Sequence, residues 1–207
     1  MRILPFVLCS LLVLSSYAGQ QEIIESSIRF EIKNAGVTVE GSFSQLAGTI
    51  EFDPANYPKS IVNVSVPSAT INTGIGARDA KLKKAEYFDI AKFPSIRLKS
   101  RFFGKATEDN AFRGYFTLTL KGVSQDITMP FTVAKEGDHF RIKGDFTINR
   151  RDFGVGGKSF IMSDEVTLHI NLLLTDGTKS LKKGSPLPPQ SEHSRNIDSL
   201  NWIFLKP

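Results

Sequence analysis

The sequence predicts an all-β protein: eight antiparallel strands folded as a barrel or a sandwich, with one short helical insertion between strands. Three observations carry this reading. Apolar and polar residues alternate at period two through most of the stretch from Ile23 to Leu174, the spacing of strands with one buried face. Turn sequences such as Asn34-Ala35-Gly36, Lys121-Gly122 and Gly137-Asp138 separate the alternating runs. Only the stretch from Thr73 to Ser100 breaks the pattern, with a helix-like patch from Arg78 to Tyr87. A sheet interrupted once in this way tends to use the interruption to cover an open end.

In the first strand Ile28, Phe30 and Ile32 face one way and Arg29, Glu31 and Lys33 the other. The second runs to Phe52; Phe43 is out of phase with Leu46, Ile50 and Phe52, so a bulge is expected between Ser44 and Gly48. Asp53 to Pro58 is a turn-rich loop, after which Val62, Val64 and Val66 share a face. Beyond the interruption Ile96, Leu98 and Phe102 alternate with Arg97, Lys99 and Arg101. Phe112 to Leu120 makes the fifth strand, and Ile127, Met129, Phe131 and Val133 mark the sixth. Phe140, Ile142, Phe146 and Ile148 mark the seventh. A loop from Arg150 to Asp164 leads to the last strand, where Val166, Leu168, Ile170, Leu172 and Leu174 align.

A membrane barrel turns its apolar residues outward and its polar ones to the lumen. Here the second face carries Lys, Arg, Glu and Thr, which must meet water, so the apolar face is the interior. Eight strands enclose a space that side chains just fill, or one that holds a small elongated ligand; the pattern leaves both open. The candidates to line such a pocket are Phe30, Ile32, Val64, Leu98, Phe102, Phe116, Phe131, Phe146, Leu168 and Ile170, with Leu82 and Phe88 from the interrupting segment. That segment also crowds Arg78, Asp79, Lys81, Lys83, Lys84 and Glu86 together. Asp79 suits the start of a helix and Arg78 beside it can close a local ion pair. In the functional alternative Arg78, Asp79 or Lys81 meets a polar or anionic headgroup at the mouth.

The chain divides into three parts. Residues 1–18 read as a signal peptide: Arg2 is the basic region, Ile3 to Leu14 the apolar one, and Ser16-Tyr17-Ala18 a cleavage site. The expected location is therefore periplasmic or secreted. The single cysteine, Cys9, lies in that segment, so residues 19–177 have no disulfide and no thiol ligand. Residues 178–207 form a basic tail ending in Trp202, Ile203, Phe204 and Leu205. Of the net charge of +5, Arg2 contributes +1 and the tail +3, leaving +1 for the body. A nearly neutral body argues against a nucleic-acid surface; the tail suits peripheral contact with an anionic membrane.

Little here points to catalysis. His139, His169 and His193 share no metal-binding spacing, and neither a metal nor a cofactor is expected. Gly157-Lys158-Ser159 matches the end of a phosphate loop, but Asp152 stands where its first glycine belongs. Asn63-Val64-Ser65 is a glycosylation sequon placed inside a strand. A nucleophile needs a neighbouring base, and the chain offers no inward histidine.

Several motifs stand in a specific order: Gly41-Ser42-Phe43, Gly48-Thr49-Ile50-Glu51-Phe52-Asp53-Pro54, Thr73, then Arg78-Asp79-Ala80-Lys81-Leu82. Tyr87-Phe88-Asp89 and Phe93-Pro94 follow, and then Gly114 and Leu118 to Val123. Asn149-Arg150-Arg151-Asp152-Phe153-Gly154-Val155 completes the set. In these the chain resembles the YceI-like family of secreted lipocalin-like barrels, over about Ile23 to Leu174. The resemblance implies a lipocalin-like barrel with a cavity for a polyisoprenoid or fatty-acyl lipid. It implies non-catalytic binding or transport of that hydrophobic ligand. Many members carry His where this chain has Lys81 and Asn34, and near Ser26-Ser27; all three are absent here. The alternatives are a stress-related or structural secreted barrel acting through a protein partner, or an enzyme on a hydrophobic substrate. A homodimer is compatible with the sequence.

Overall fold

The computed structural model describes residues 20–177. The predicted signal peptide at 1–18 and the tail at 178–207, with its Trp202 to Leu205 cluster, lie outside the described residues. Nine antiparallel strands form one sheet in the order β2-β1-β9-β8-β7-β6-β5-β4-β3. They are β1 (Ile23–Asn34), β2 (Val37–Phe43), β3 (Ala47–Glu51), β4 (Ile61–Pro67) and β5 (Ser95–Lys105), followed by β6 (Ala111–Leu120), β7 (Val123–Glu136), β8 (His139–Asn149) and β9 (Met162–Thr175). One helix, α1 (Gly76–Leu82), stands between β4 and β5. The all-β barrel with a short helical insertion is as the alternation requires, with one strand more than expected.

The extra strand has a physical cause. The anticipated bulge is a full break: Gln45 takes a positive φ of 61°, and Gly48 reaches 132°. A side chain at Gly48 would meet the Asn63 carbonyl oxygen at 2.2 Å, so the close approach of the two strands requires glycine. The two halves pair with opposite ends of the sheet, β2 with β1 and β3 with β4. The sheet thereby curls until its edges are consecutive pieces of one chain. Ser42 exchanges backbone hydrogen bonds with Asn72, and the Gln21 amide donates to Ile50 O. These bonds tie the seam where β2 and β3 meet.

Strand direction sorts the loops to two ends. The hairpins at 35–36 and 121–122, the 67–95 connection and the 150–161 loop lie at one end, the mouth. The far end is closed by aromatic packing. Phe52 meets Phe103, Phe112 and Phe131 edge-on, with ring centres 5.2–5.3 Å apart, a favoured arrangement of aromatic quadrupoles. Leu174 nearby is wholly buried.

The helical patch is shorter and earlier than anticipated, ending at Leu82 rather than Tyr87. Residues beyond it fold in successive turns that fasten to the mouth. Gly156 N donates to Glu86 O, and Lys121 Nζ donates to both Glu86 O and Gly154 O. Ser68 Oγ donates to Phe93 O. The Phe93 ring lies where a Gly122 side chain would stand, 2.4 Å away; the positive φ of 76° there also favours glycine.

Candidate functional site

Within the sheet lies a cavity of about 260 Å³. That is space for on the order of twenty water-sized groups. Its walls are almost entirely apolar, because each strand turns every second residue inward. Of the predicted lining residues, Phe30, Ile32, Val64, Leu98, Phe116, Phe131, Phe146, Leu168 and Ile170 border it from the strands. Leu82 and Phe88 border it from the covering segment. Phe43 joins the two, packing on Phe30 at 5.7 Å and on Phe88 at 5.7 Å.

Phe102 does not belong to this set. The β5–β6 register shifts between Ser100 and Phe102, so the alternation changes phase, and Phe103 takes the inward position. Phe102 is 52% exposed on the outer wall, stacked on Tyr115 with ring centres 4.1 Å apart. A bulge of this kind reverses every later side chain on its strand, and nothing in the local composition marks it.

The cavity is chemically polarised. Its floor is the aromatic cluster, while polar groups at its mouth include Asn34, Thr73 and Arg78. Asn34 sits in phase with Phe30 and Ile32 at the end of β1. Arg78 donates from Nε to Thr73 Oγ1 at 2.8 Å and from Nη2 to Thr73 O at 2.7 Å, leaving Nη1 without a hydrogen-bond partner among the described residues. The expected direct ion pair with Asp79 is absent. Instead the two meet through Thr73, whose amide donates to Asp79 Oδ1 at 2.9 Å and whose hydroxyl donates to the same oxygen. These bonds hold the Asp79 carboxyl below its ordinary pKa, with the Thr73 hydroxyl the largest cause and Lys83 and Arg78 adding to it.

Asp79 and Lys81 do not line the cavity. The Lys81 ammonium lies over the Tyr87 ring, 5.5 Å from its centre, a cation–π contact that anchors the covering segment. Arg150 was missing from the sequence-based set, yet it is buried at the cavity margin. Its guanidinium donates to the carbonyls of Val155, Gly156, Gly157, Met162 and Ser163 and to Asp164. It closes the 150–164 loop, and its donors are spent on the protein itself.

The Asp79 shift makes a prediction with a definite sign. Because the folded-state pKa is lowered, the clamp on Thr73 is fully present above the ordinary carboxylate range. It is lost as pH falls through the lowered value. Amide exchange across residues 73–82, corrected for intrinsic rates, should rise in that acidic window while residues 165–172 stay protected. In Asp79→Ala the same segment should exchange fast at neutral pH. Unchanged exchange in both cases would remove the clamp from the description of the mouth.

Three comparisons bear on this geometry. A family model described as the YceI-like domain matches residues 23–174, the span from the first strand to the last. Protein YceI of Salmonella arizonae is 29% identical over 186 residues, covering 83% of this chain and 95% of that protein. The crystal structure of BcnA from Burkholderia cenocepacia superposes with a TM-score of 0.68 at 26% identity, covering 72% of this chain and 95% of that one. A domain from Saccharophagus degradans, described as polyisoprenoid-binding and implicated in plant cell wall breakdown, has a TM-score of 0.62 at 18% identity. It covers 77% of this chain and 99% of that one, and at that identity it speaks to the fold alone. With that match running across the whole sheet, this chain belongs to the YceI-like family.

Proposed function

We propose that this protein binds one long-chain amphiphile, a polyisoprenoid or fatty-acyl lipid, and carries it without chemical change outside the cytoplasm. The observation that supports this most is the polarised cavity: apolar walls, an aromatic floor, and polar groups gathered at the mouth. Burial of each methylene contributes about 0.8 kcal/mol, so an enclosed wall holds a long chain far better than an open groove. The direction of the polarity orients the guest, with its tail toward Phe52 and Phe131 and its head beside Arg78, Thr73 and Asn34. Arg78, already aligned by Thr73, offers a charge-assisted donor to an anionic head. Residues 1–18 support a periplasmic or secreted location.

The head-group assignment is tested with two ligands of equal chain length, a fluorescent fatty acid and the corresponding alcohol. The wild type should bind both, and the acid more tightly. Arg78→Gln should weaken the acid about tenfold, the scale of a charge-assisted hydrogen bond partly screened by water, and leave the alcohol unchanged. Equal losses for both would mean that Arg78 serves only to shape the covering segment.

A further inference from the structure

Eight large apolar side chains are exposed among the described residues, and they are unevenly placed. Ile24 and Ile61 lie at the closed end and Phe102 on the outer wall. The other five lie at the mouth: Val37 and Val123 open β2 and β7 just past their hairpins, and Ile75, Phe160 and Ile161 stand on the connections. Phe160 is 98% exposed, an unusual position for a residue that packing would otherwise draw inward. It is held there rather than left loose: Ala35 N donates to Ile161 O at 2.7 Å, and Ser159 Oγ accepts from the amides of Ile161 and Met162. The first of these bonds joins the 157–161 tip to the hairpin that carries Val37.

Exposed basic residues accompany these tips. Lys158 is two residues from Phe160, Lys33 precedes the adjoining hairpin, and Lys84 lies on the covering segment. We propose that the mouth end docks on an anionic lipid membrane surface, with Phe160 and Ile161 inserted among the head groups and Lys158 on their phosphates. The proposal rests on the lipid-carrier reading and adds where the protein meets its source. A membrane fits this arrangement for two reasons. The apolar groups stand at separate points around a cavity mouth, on strand starts and loops, so a rigid protein partner would need a matching pocket for each, whereas the interfacial region accepts them all. The neighbouring cations match anionic lipid head groups. The same orientation turns the open end of an apolar cavity toward the hydrocarbon.

The test uses the full chain and vesicles of phosphatidylglycerol and phosphatidylethanolamine in equal parts, with phosphatidylcholine vesicles as the comparison. Co-sedimentation of the wild type should favour the anionic vesicles. The double substitution Phe160→Ser, Ile161→Ser should lower the partition at least about tenfold, given the apolar area withdrawn from the interface. Lys158→Glu should lower it on anionic vesicles only. Both variants change exposed side chains, and an unaltered thermal transition confirms that they fold. Wild-type chain that stays in solution, or a double variant that partitions as well as the wild type, overturns the proposal. Lipid extracted from the same preparations separates the two readings: lipid present without partition defeats docking alone, and partition without lipid defeats the cavity reading alone.

Discussion

Replacing Arg150 with methionine is expected to destabilise the protein by about 3–5 kcal/mol, the scale of breaking a buried hydrogen-bonded charge network. The guanidinium is the common partner of five carbonyls and Asp164, at distances such as 2.8 Å to Ser163 O and 2.8 Å to Asp164 Oδ1. Methionine fills similar space but donates nothing, so buried acceptors lose their partners. The damage should be local at first. The loop from 150 to 164 holds Phe153 and Val155 against Leu118 and Leu120, beside Tyr87 and Phe88 of the covering segment. Denaturant unfolding measures the loss, and hydrogen exchange should place the earliest opening in that loop. Arg150→Lys should recover little, because one ammonium cannot span acceptors arranged around a planar fork. A loss below about 1 kcal/mol would show that the loop is held by its apolar contacts alone.

Leu168→Trp should weaken retention of a long-chain ligand by about two orders of magnitude while leaving the fold intact. Leu168 pairs with Phe30 on one side and Phe146 on the other, at the middle of a cavity wall. An indole added to a filled core costs about 1–3 kcal/mol through strain; added to an open cavity it displaces guest instead. Displacing about four methylenes at 0.8 kcal/mol each weakens binding by about two orders of magnitude. The pair of readouts therefore decides between an open and a filled interior. Stability near that of the wild type with lipid lost indicates open space, whereas marked destabilisation with unchanged lipid content indicates a packed core.

Most of the barrel was legible because burial on one face writes itself at period two. Phe30, Ile32, Val64, Leu168 and Ile170 follow from that rule alone. The rule fails where the backbone slips: the bulge after Ser100 exchanges Phe102 for Phe103, and both are phenylalanine, so composition carries no warning. The break between β2 and β3 rests on Gln45 adopting a left-handed conformation, a choice forced by closing the sheet and not by glutamine. Asn34 and Arg150 were missed for a different reason. Asn34 continues the inward phase of β1 after Ile32, and Arg150, the first residue past β8, continues that of β8 after Ile148. A polar residue at an inward position reads as the end of a strand, since buried arginine is rare. Following the phase past the last apolar residue would have found both. The helical patch pointed to the right end of the barrel, but a turn begun at Gly76 instead of Arg78 left Lys81 on Tyr87 and away from the cavity.

The central reading is that the interior holds a single amphiphile. Native mass spectrometry of freshly purified full-length chain, followed by denaturing extraction, measures this directly. The expected result is one long-chain lipid per polypeptide in the wild type, released on unfolding and depleted in Leu168→Trp. Bare polypeptide in both proteins, persisting after incubation with polyisoprenoid and fatty-acyl lipids, would contradict it.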